Sequence, residues 1–298
     1  MKKTSFCFLL VALILSACNN SSESSAPAAD STTSKKDTVD KSVTDQWKIG
    51  VQLWTFHEFP FVTAIAKADS AGAKFIEAFP GQKMGGEFKG KDSEFGYNLS
   101  PDARAKVKQM LQSKGITMIA MGVIGPKGGA EWKKFFDFAK DMGLQYLTAE
   151  PLDEDWGVAD SLAGVYGIKI AIHDHPKPSH YWNPDSVLAA AKGHPNIGAC
   201  ADLGHWSRSG LDVVECLKKL EGHIFGAHFK DVKEFGNTKA DDVITGTGVN
   251  KWPEIFAELK RQGFKGMFSI ERENNWQNNV PDVIQEIKFF HEQVAALK

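Results

Sequence analysis

The chain has 298 residues and a formal net charge of −2 at pH 7, with a sequence pI near 6.5. This balance leaves no excess of basic residues to hold a polyanion, so we expect no nucleic-acid partner. Only Cys200 and Cys216 follow Cys18, and no CxxC spacing occurs, so neither a disulfide framework nor a thiolate metal site is indicated.

The first 18 residues have the order of a bacterial lipoprotein signal peptide. A basic start, MKK, is followed by an apolar run from Phe6 to Leu15 and by LSAC, which ends at Cys18. Lipidation of the Cys18 thiol would add more than one acyl chain, which is enough for stable membrane attachment. We therefore expect an exported lipoprotein on a periplasmic or outer-membrane face, bound to the membrane through this anchor alone.

Two further segments follow the signal peptide. Residues 19–45 are mainly serine, alanine, threonine and aspartate with few large apolar side chains, which predicts a disordered tether. From residue 46 the composition is that of a globular domain, and 46–298 have the length typical of a single (β/α)8 TIM barrel.

One unit is repeated along the globular part: a short apolar run, a helix and a glycine. The runs that predict strands are, in chain order, KIGVQLWTF, KFIEAF, ITMIAMGVI, LQYLTAE, IKIAIHDH, IGACAD, IFGAHFKD and MFSIERE. The glycines that predict helix ends are Gly72, Gly115, Gly143, Gly167, Gly193, Gly222 and Gly263. Alternating strands and helices favour a parallel sheet. Because no GxGxxG or Walker motif follows a strand, a closed barrel is favoured over an open doubly wound sheet.

Local signals refine this pattern. Ser100 and Asn183 each precede a proline, as residues that cap helix starts do. The segments 80–100 and 232–250 predict long loops at the carboxyl ends of strands, where barrel active sites form. Loops of this length often cover a substrate.

Polar residues lie at the last inward positions of strands four to eight. They are Glu150, His173 with His175, Asp202, His228 and Glu271. Residues two apart on a strand share a side, so the apolar residues between them are expected to face the helices. One such polar residue alone would more often hydrogen-bond a loop. Together they need a cation to offset their burial, and a set without thiolate suits Mn²⁺, Co²⁺, Zn²⁺ or Mg²⁺.

Other residues after strand ends are candidates for contact with a small-molecule sugar. Five tryptophans follow strand ends, namely Trp54, Trp156, Trp182, Trp206 and Trp276. Indoles can cover the apolar faces of sugar rings, although packing under loops is the alternative. We expect Trp54, His205 and Arg208 to bind substrate. Lys230 could stabilise a developing oxyanion, with a salt bridge to a carboxylate as the alternative.

The ordered motifs DLGHW, AHFKD and SIERE resemble the xylose isomerase-like superfamily of sugar isomerases and epimerases, over the span from Trp47 to the C terminus. The resemblance implies a divalent metal held by Asp202, with His205 three residues later, and by His228 and Glu271. It also implies proton transfer beside a carbonyl, with the metal polarising the oxygens.

This chain departs from the family pattern on strand five, where His173 replaces a glutamate ligand that also serves as an acid/base group. Glu150 or His175 is the candidate replacement. The expected function is a metal-dependent isomerase or epimerase of a non-phosphorylated sugar, since sugar phosphates are scarce outside the cytoplasm. With Glu271 as base, the alternative is a lyase or hydrolase of 3-keto-glycosides.

Two other functions are less favoured. A non-catalytic sugar-binding lipoprotein would not require ionisable groups on five strands. The superfamily also has a branch of DNA-cutting nucleases, which the acidic charge and the expected export disfavour.

Overall fold

The computed structural model describes residues 43–297. The predicted signal peptide with Cys18, and the predicted tether up to residue 42, lie outside the described residues. At the start of the described part, Thr44–Gln46 form a 3-10 turn. No helix between residues 43 and 297 has both the length and the apolar character needed to cross a membrane.

Eight parallel strands close into a barrel, which confirms the predicted (β/α)8 fold and excludes the open sheet. The strands in chain order are β1 (Lys48–Gln52), β2 (Phe75–Ala78), β3 (Thr117–Ile124), β4 (Tyr146–Ala149), β5 (Lys169–His173), β6 (Ile197–Asp202), β7 (Ile224–Phe229), β8 (Asp231–Val232), β9 (Asp242–Val243) and β10 (Met267–Ile270). Strand β1 closes the barrel by pairing with both β2 and β10. Strands β8 and β9 form a separate antiparallel pair in the long loop after β7.

Helices alternate with the barrel strands. They are α1 (Phe61–Ser70), α2 (Pro101–Ser113), α3 (Gly128–Met142), α4 (Trp156–Tyr166), α5 (Pro184–Ala191), α6 (Leu203–Arg208), α7 (Val213–Lys219), α8 (Trp252–Arg261) and α9 (Val280–Ala296). Short 3-10 turns also occupy Leu53–Phe56, Gly90–Asp92 and Asp153–Asp155. Two helices, α6 and α7, follow β6, one more than the repeated unit predicts.

The predicted helix boundaries are confirmed. Ser100 Oγ accepts the N–H of Ala103 at 3.2 Å, and Asn183 Oδ1 accepts the N–H of Asp185 at 2.8 Å. The predicted helix-ending glycines all have φ between 63° and 83°, a region that residues with a Cβ rarely adopt.

Side-chain alternation divides the core into two layers. Ile172, Ala201 and Ala227 pack in the large layer between sheet and helices, whereas Ala171 and Cys200 pack inside the barrel. Five strands thus direct their next inward side chains toward the barrel mouth, as predicted. Trp206 is predicted from the sequence to lie at the barrel mouth, but it is fully buried in the layer between sheet and helices.

A buried carboxyl joins the last helix to the long loop after β7. Glu286 on α9 accepts hydrogen bonds from Thr245 N at 3.0 Å and Thr245 Oγ1 at 3.2 Å. Its other oxygen, Oε2, has no hydrogen-bond partner. Burial raises the pKa of Glu286 to about 8, so this carboxyl is protonated in the folded chain at neutral pH.

Replacement of Glu286 by glutamine should change how stability depends on pH. Between the ordinary pKa of 4.5 and the raised value of about 8, the unfolded chain releases a proton that the folded chain keeps. The free energy of unfolding therefore falls with rising pH through this window, by at most ~1.4 kcal/mol per pH unit for one group. The amide has no proton to release, so Glu286→Gln should gain stability relative to wild type from about pH 5 to pH 8. Denaturant unfolding at several pH values measures this, and a constant difference would contradict the raised pKa.

Candidate active site

Four predicted ligand atoms meet at the carboxyl end of the barrel. His173 Nε2 lies 3.2 Å from His228 Nδ1, and that nitrogen lies 3.4 Å from Asp202 Oδ2 and 3.2 Å from Glu271 Oε2. All four side chains are buried. Because they lie at or next to the carboxyl ends of β5, β6, β7 and β10, the parallel barrel itself brings them together.

The environment of Asp202 fits a divalent cation. Its Oδ1 accepts a hydrogen bond from the N–H of His205 at 2.8 Å, and this hydrogen bond caps the start of α6. Its Oδ2 is buried without a hydrogen bond of good geometry, although Lys230 Nζ lies 3.2 Å away, His228 Nδ1 3.4 Å and His173 Nε2 3.6 Å. A buried carboxylate oxygen left in this state is costly. Donor atoms at ~2.0–2.2 Å from a tetrahedral ion would be about 3.4 Å apart, so His173, Asp202, His228 and Glu271 match such an ion.

Lys230 supplies the positive charge closest to these carboxylates. Its Nζ donates to Glu271 Oε2 at 2.7 Å and to Glu273 Oε2 at 2.8 Å, and it lies 3.2 Å from Asp202 Oδ2. Burial opposes the positive charge of Lys230, yet the carboxylates of Asp202, Glu271 and Glu273 hold the pKa of Lys230 well above its usual range. Lys230 likewise holds the pKa of Glu271 well below its usual range against burial. The salt-bridge alternative is thus present, and the oxyanion role of Lys230 stays a prediction.

A second group of side chains lies beside the four-atom cluster. Glu150 contacts His175 Nδ1 directly, and Glu150 Oε1 lies 3.6 Å from His173 Nδ1. Although burial opposes its charge, these two histidines lower the pKa of Glu150 to about 2. The geometry favours His173 over Glu150 as the fourth metal ligand, because Glu150 faces the opposite nitrogen of that imidazole.

Arg208, which the sequence predicts to bind substrate, does not line the cavity. Its guanidinium is bound to Asp242 and donates to Ala240 O at 3.1 Å. Its Nη1 lies 3.0 Å from His205 Nδ1. The long loop after β7 supplies Asp242 and Ala240, so the arginine holds this loop against α6. Burial and the charges of Lys230 and Arg208 hold the pKa of His205 well below its usual range, against the opposing charge of Asp202.

A cavity of about 270 Å³ opens above the cluster. Its lining residues come from the ends of several strands and the loops after them: Gln52, Trp54, Phe79, Pro80, Gly122, Val123, His173, His175, His205, Glu271 and Glu273. Trp54 is 39% exposed and stacks on His57 at 4.5 Å between ring centroids. Within residues 43–297, no lysine or arginine lines this cavity.

The structure also reveals polar residues that the sequence analysis missed. Glu77 on β2 is fully buried and lies 3.2 Å from His228 Nε2. Glu273 lines the cavity two residues after Glu271, and the alternation in SIERE could have indicated it. For Glu77, the available signal was a single carboxylate in the otherwise apolar strand FIEA.

Two curated proteins are similar in sequence to part of this chain. An inosose isomerase from Halalkalibacterium halodurans is 25% identical over 181 residues, which cover 53% of this chain and 64% of that protein. A protein from Methanocaldococcus jannaschii is 27% identical over 148 residues, 46% of this chain and 48% of that protein. The chain thus spans less than two thirds of the length of these curated relatives.

Solved structures align over more of the chain. The crystal structure of an uncharacterized protein from Parabacteroides distasonis ATCC 8503 is 35% identical, covers 83% of this chain and 99% of its own, and has a TM-score of 0.68. A D-tagatose 3-epimerase-like protein has 17% identity, coverage of 84% and 98%, and a TM-score of 0.64. The sequence profile of one family matches residues 65–293. The chain belongs to the xylose isomerase-like TIM barrel family.

Proposed function

We propose that the chain is a divalent-metal-dependent isomerase or epimerase that moves a proton beside the carbonyl of a non-phosphorylated sugar. The observation that carries this proposal is the position of Glu271, which belongs to the buried ligand cluster and also lines the cavity above it. The inosose isomerase relative supports sugar isomerisation as the reaction class.

Glu271 is the proposed base. Lys230 keeps its carboxylate ionised, because the ammonium lies 2.7 Å from Glu271 Oε2 inside the barrel. An ionised carboxylate at the cavity wall can take the proton from a carbon next to a carbonyl. When bound to the cluster, the divalent ion would polarise the carbonyl oxygen and so acidify that carbon.

His175 is the proposed second acid/base group. It lines the cavity, and its Nδ1 contacts Glu150. This contact orients the imidazole and leaves Nε2 for a substrate, in the way that a carboxylate orients a histidine in other proton-transfer sites. His175 and Glu150 would therefore replace the carboxylate that His173 displaces, and return a proton to the substrate.

The cavity favours a small neutral substrate. Its volume of about 270 Å³ is near the lower end of the ~300–1,000 Å³ typical of ligand pockets, which suits one sugar ring. Glu271 and Glu273 line it, so a phosphate group would meet like charges. The exposed indole of Trp54 can cover the apolar face of a ring. The proposed export through the Cys18 anchor is in keeping with a free sugar.

Metal binding is the first test of this proposal. We expect purified protein to bind about one divalent ion per chain, and Asp202→Ala to weaken binding more than the roughly 10–100-fold that loss of an outer-shell partner costs. His228→Ala should act likewise, because both changes remove a donor atom. Titration calorimetry with Zn²⁺ and elemental analysis measure the effect.

Asp155→Ala is the matched control for the metal experiment. Asp155 is buried and accepts the N–H of Gly128 at 3.0 Å, outside the ligand cluster. This variant should bind Zn²⁺ as wild type does. Full occupancy in both Asp202→Ala and His228→Ala would show that the ligands lie elsewhere.

Glu271→Gln tests the proposed proton transfer. The amide keeps an oxygen at the cluster and nearly the same shape but cannot act as the base, so turnover should fall roughly 10²–10⁴-fold. Assays in D2O should use inosose, D-tagatose and keto-glycosides, followed by NMR. An isomerase or epimerase returns an intact sugar that carries solvent deuterium, whereas the alternative lyase releases a β-leaving group.

Glu286→Gln is the control for turnover, because it makes the same chemical change at a buried carboxyl that belongs to neither the ligand cluster nor the cavity lining. It should keep wild-type turnover. If Glu271→Gln matched wild type in rate, with no solvent deuterium in either product, proton abstraction by Glu271 would be wrong.

A further inference from the structure

We propose that Glu77 is a positioning residue that fixes the tautomer of His228 and thereby prepares Nδ1 to bind the divalent ion. This inference rests on the metal site of the proposed function. It adds a residue on β2, outside the strands that supply the ligands, and assigns it no contact with substrate.

Glu77 is held in one orientation inside the barrel. Its side chain is fully buried, and its Oε1 accepts a hydrogen bond from Thr148 Oγ1 at 2.5 Å. Its Oε2 accepts one from Ser269 Oγ at 2.7 Å and faces His228 Nε2 at 3.2 Å. The two hydroxyls come from β4 and β10, so strands on different sides of the barrel fix this carboxylate.

The two nitrogens of His228 face different groups. Nδ1 faces the ligand cluster, 3.4 Å from Asp202 Oδ2 and 3.2 Å from Glu271 Oε2. Nε2 faces Glu77 on the opposite side of the ring. A neutral imidazole carries one N–H, and an ionised carboxylate can only accept a hydrogen bond. Glu77 therefore keeps the proton on Nε2 and leaves the lone pair of Nδ1 for the ion.

Glu77 does not form a second metal site with its other neighbour. Cys200 is the remaining potential ligand close to Glu77 and His228 in the described part of the chain. Both oxygens of Glu77 already accept hydrogen bonds from the Thr148 and Ser269 hydroxyls, and His228 Nδ1 faces the four-atom cluster instead. The Glu77 carboxylate instead has the role of an outer-shell partner, which orients a ligating histidine.

Burial of the Glu77 carboxylate is energetically unfavourable, and packing of the barrel interior does not require a charged side chain at this position. The neighbouring residues of β2 are Phe75, Ile76 and Ala78, and Ile76 packs in the outer hydrophobic layer. A carboxylate inside the barrel loses its hydration. Its three polar contacts offset this loss, and one of them is a proposed metal ligand.

Glu77→Gln in the full chain tests the inference. The amide can turn its NH2 toward His228 Nε2, which would move the imidazole proton to Nδ1 and block ligation. We expect Zn²⁺ affinity, measured by competition calorimetry, to fall roughly 10–100-fold. Long-range ¹H–¹⁵N spectra of histidine-labelled, Zn²⁺-loaded protein should show His228 protonated on Nε2 in wild type, and loss of that pattern in the variant.

Two milder variants and one control separate positioning from folding. Ser269→Ala and Thr148→Val each remove one donor to Glu77 but keep its carboxylate, so each should weaken Zn²⁺ binding less than Glu77→Gln does. Glu286→Gln replaces another buried carboxyl, which does not belong to the cluster, and should bind Zn²⁺ within twofold of wild type. Circular dichroism checks that every variant is folded.

The outcomes separate this inference from the proposed function. If wild type binds no Zn²⁺, the proposed metal site and the inference both fail. If wild type binds Zn²⁺ and Glu77→Gln binds it equally well with an unchanged His228 spectrum, the inference alone is overturned. If Glu77→Gln does not fold, wild-type affinity and spectra in both Ser269→Ala and Thr148→Val overturn it.

Discussion

The rest of the site depends on the burial of Asp202 at the centre of the barrel mouth. One carboxylate oxygen begins α6 by accepting the N–H of His205, while the other has no hydrogen-bond partner. Such an oxygen is stable only beside positive charge. Lys230 supplies one charge at 3.2 Å, and His173 and His228 direct nitrogens toward the same point. A divalent ion there would neutralise the carboxylate charge that Lys230 alone does not compensate.

Around Asp202, the proposed metal ligands and the cavity lining lie at different depths in the barrel. Asp202 and His228 lie fully buried below the cavity, whereas His173 and Glu271 belong to the cluster and also line the cavity. Parallel strands produce this arrangement, because each strand adds inward side chains at successive depths toward its carboxyl end. The proposed metal ligands and the residue proposed to meet a substrate are therefore neighbours along the barrel.

Much of the fold and of the ligand set could be predicted from the sequence, because both follow from local periodicity. Helix-ending glycines and strand alternation depend on nearby residues. Alternation placed His173, Asp202, His228 and Glu271 among the six polar residues at the barrel mouth, and the family resemblance then distinguished the metal ligands among them. The contact between Glu77 and His228 joins residues 151 positions apart. It depends on strand register across the barrel interior, which no local pattern encodes. The binding of Arg208 by Asp242 likewise depends on the course of a long loop.

Ion pairs with protein carboxylates explain why Arg208 and Lys230 do not line the cavity. Both cations lie next to carboxylates of the protein, Asp242 and Glu273 among them. A buried cation is most stable in such pairs. Side chains other than lysine and arginine are therefore left to meet the substrate, which agrees with a neutral sugar as the proposed ligand.

The central claim is that His173, Asp202, His228 and Glu271 hold one divalent ion. Crystals grown with Zn²⁺ and measured on both sides of the zinc absorption edge test it most directly. The account predicts one anomalous peak about 2.0–2.2 Å from His173 Nε2, Asp202 Oδ2, His228 Nδ1 and Glu271 Oε2. A peak bound by other side chains, or no peak at the barrel mouth, would contradict it.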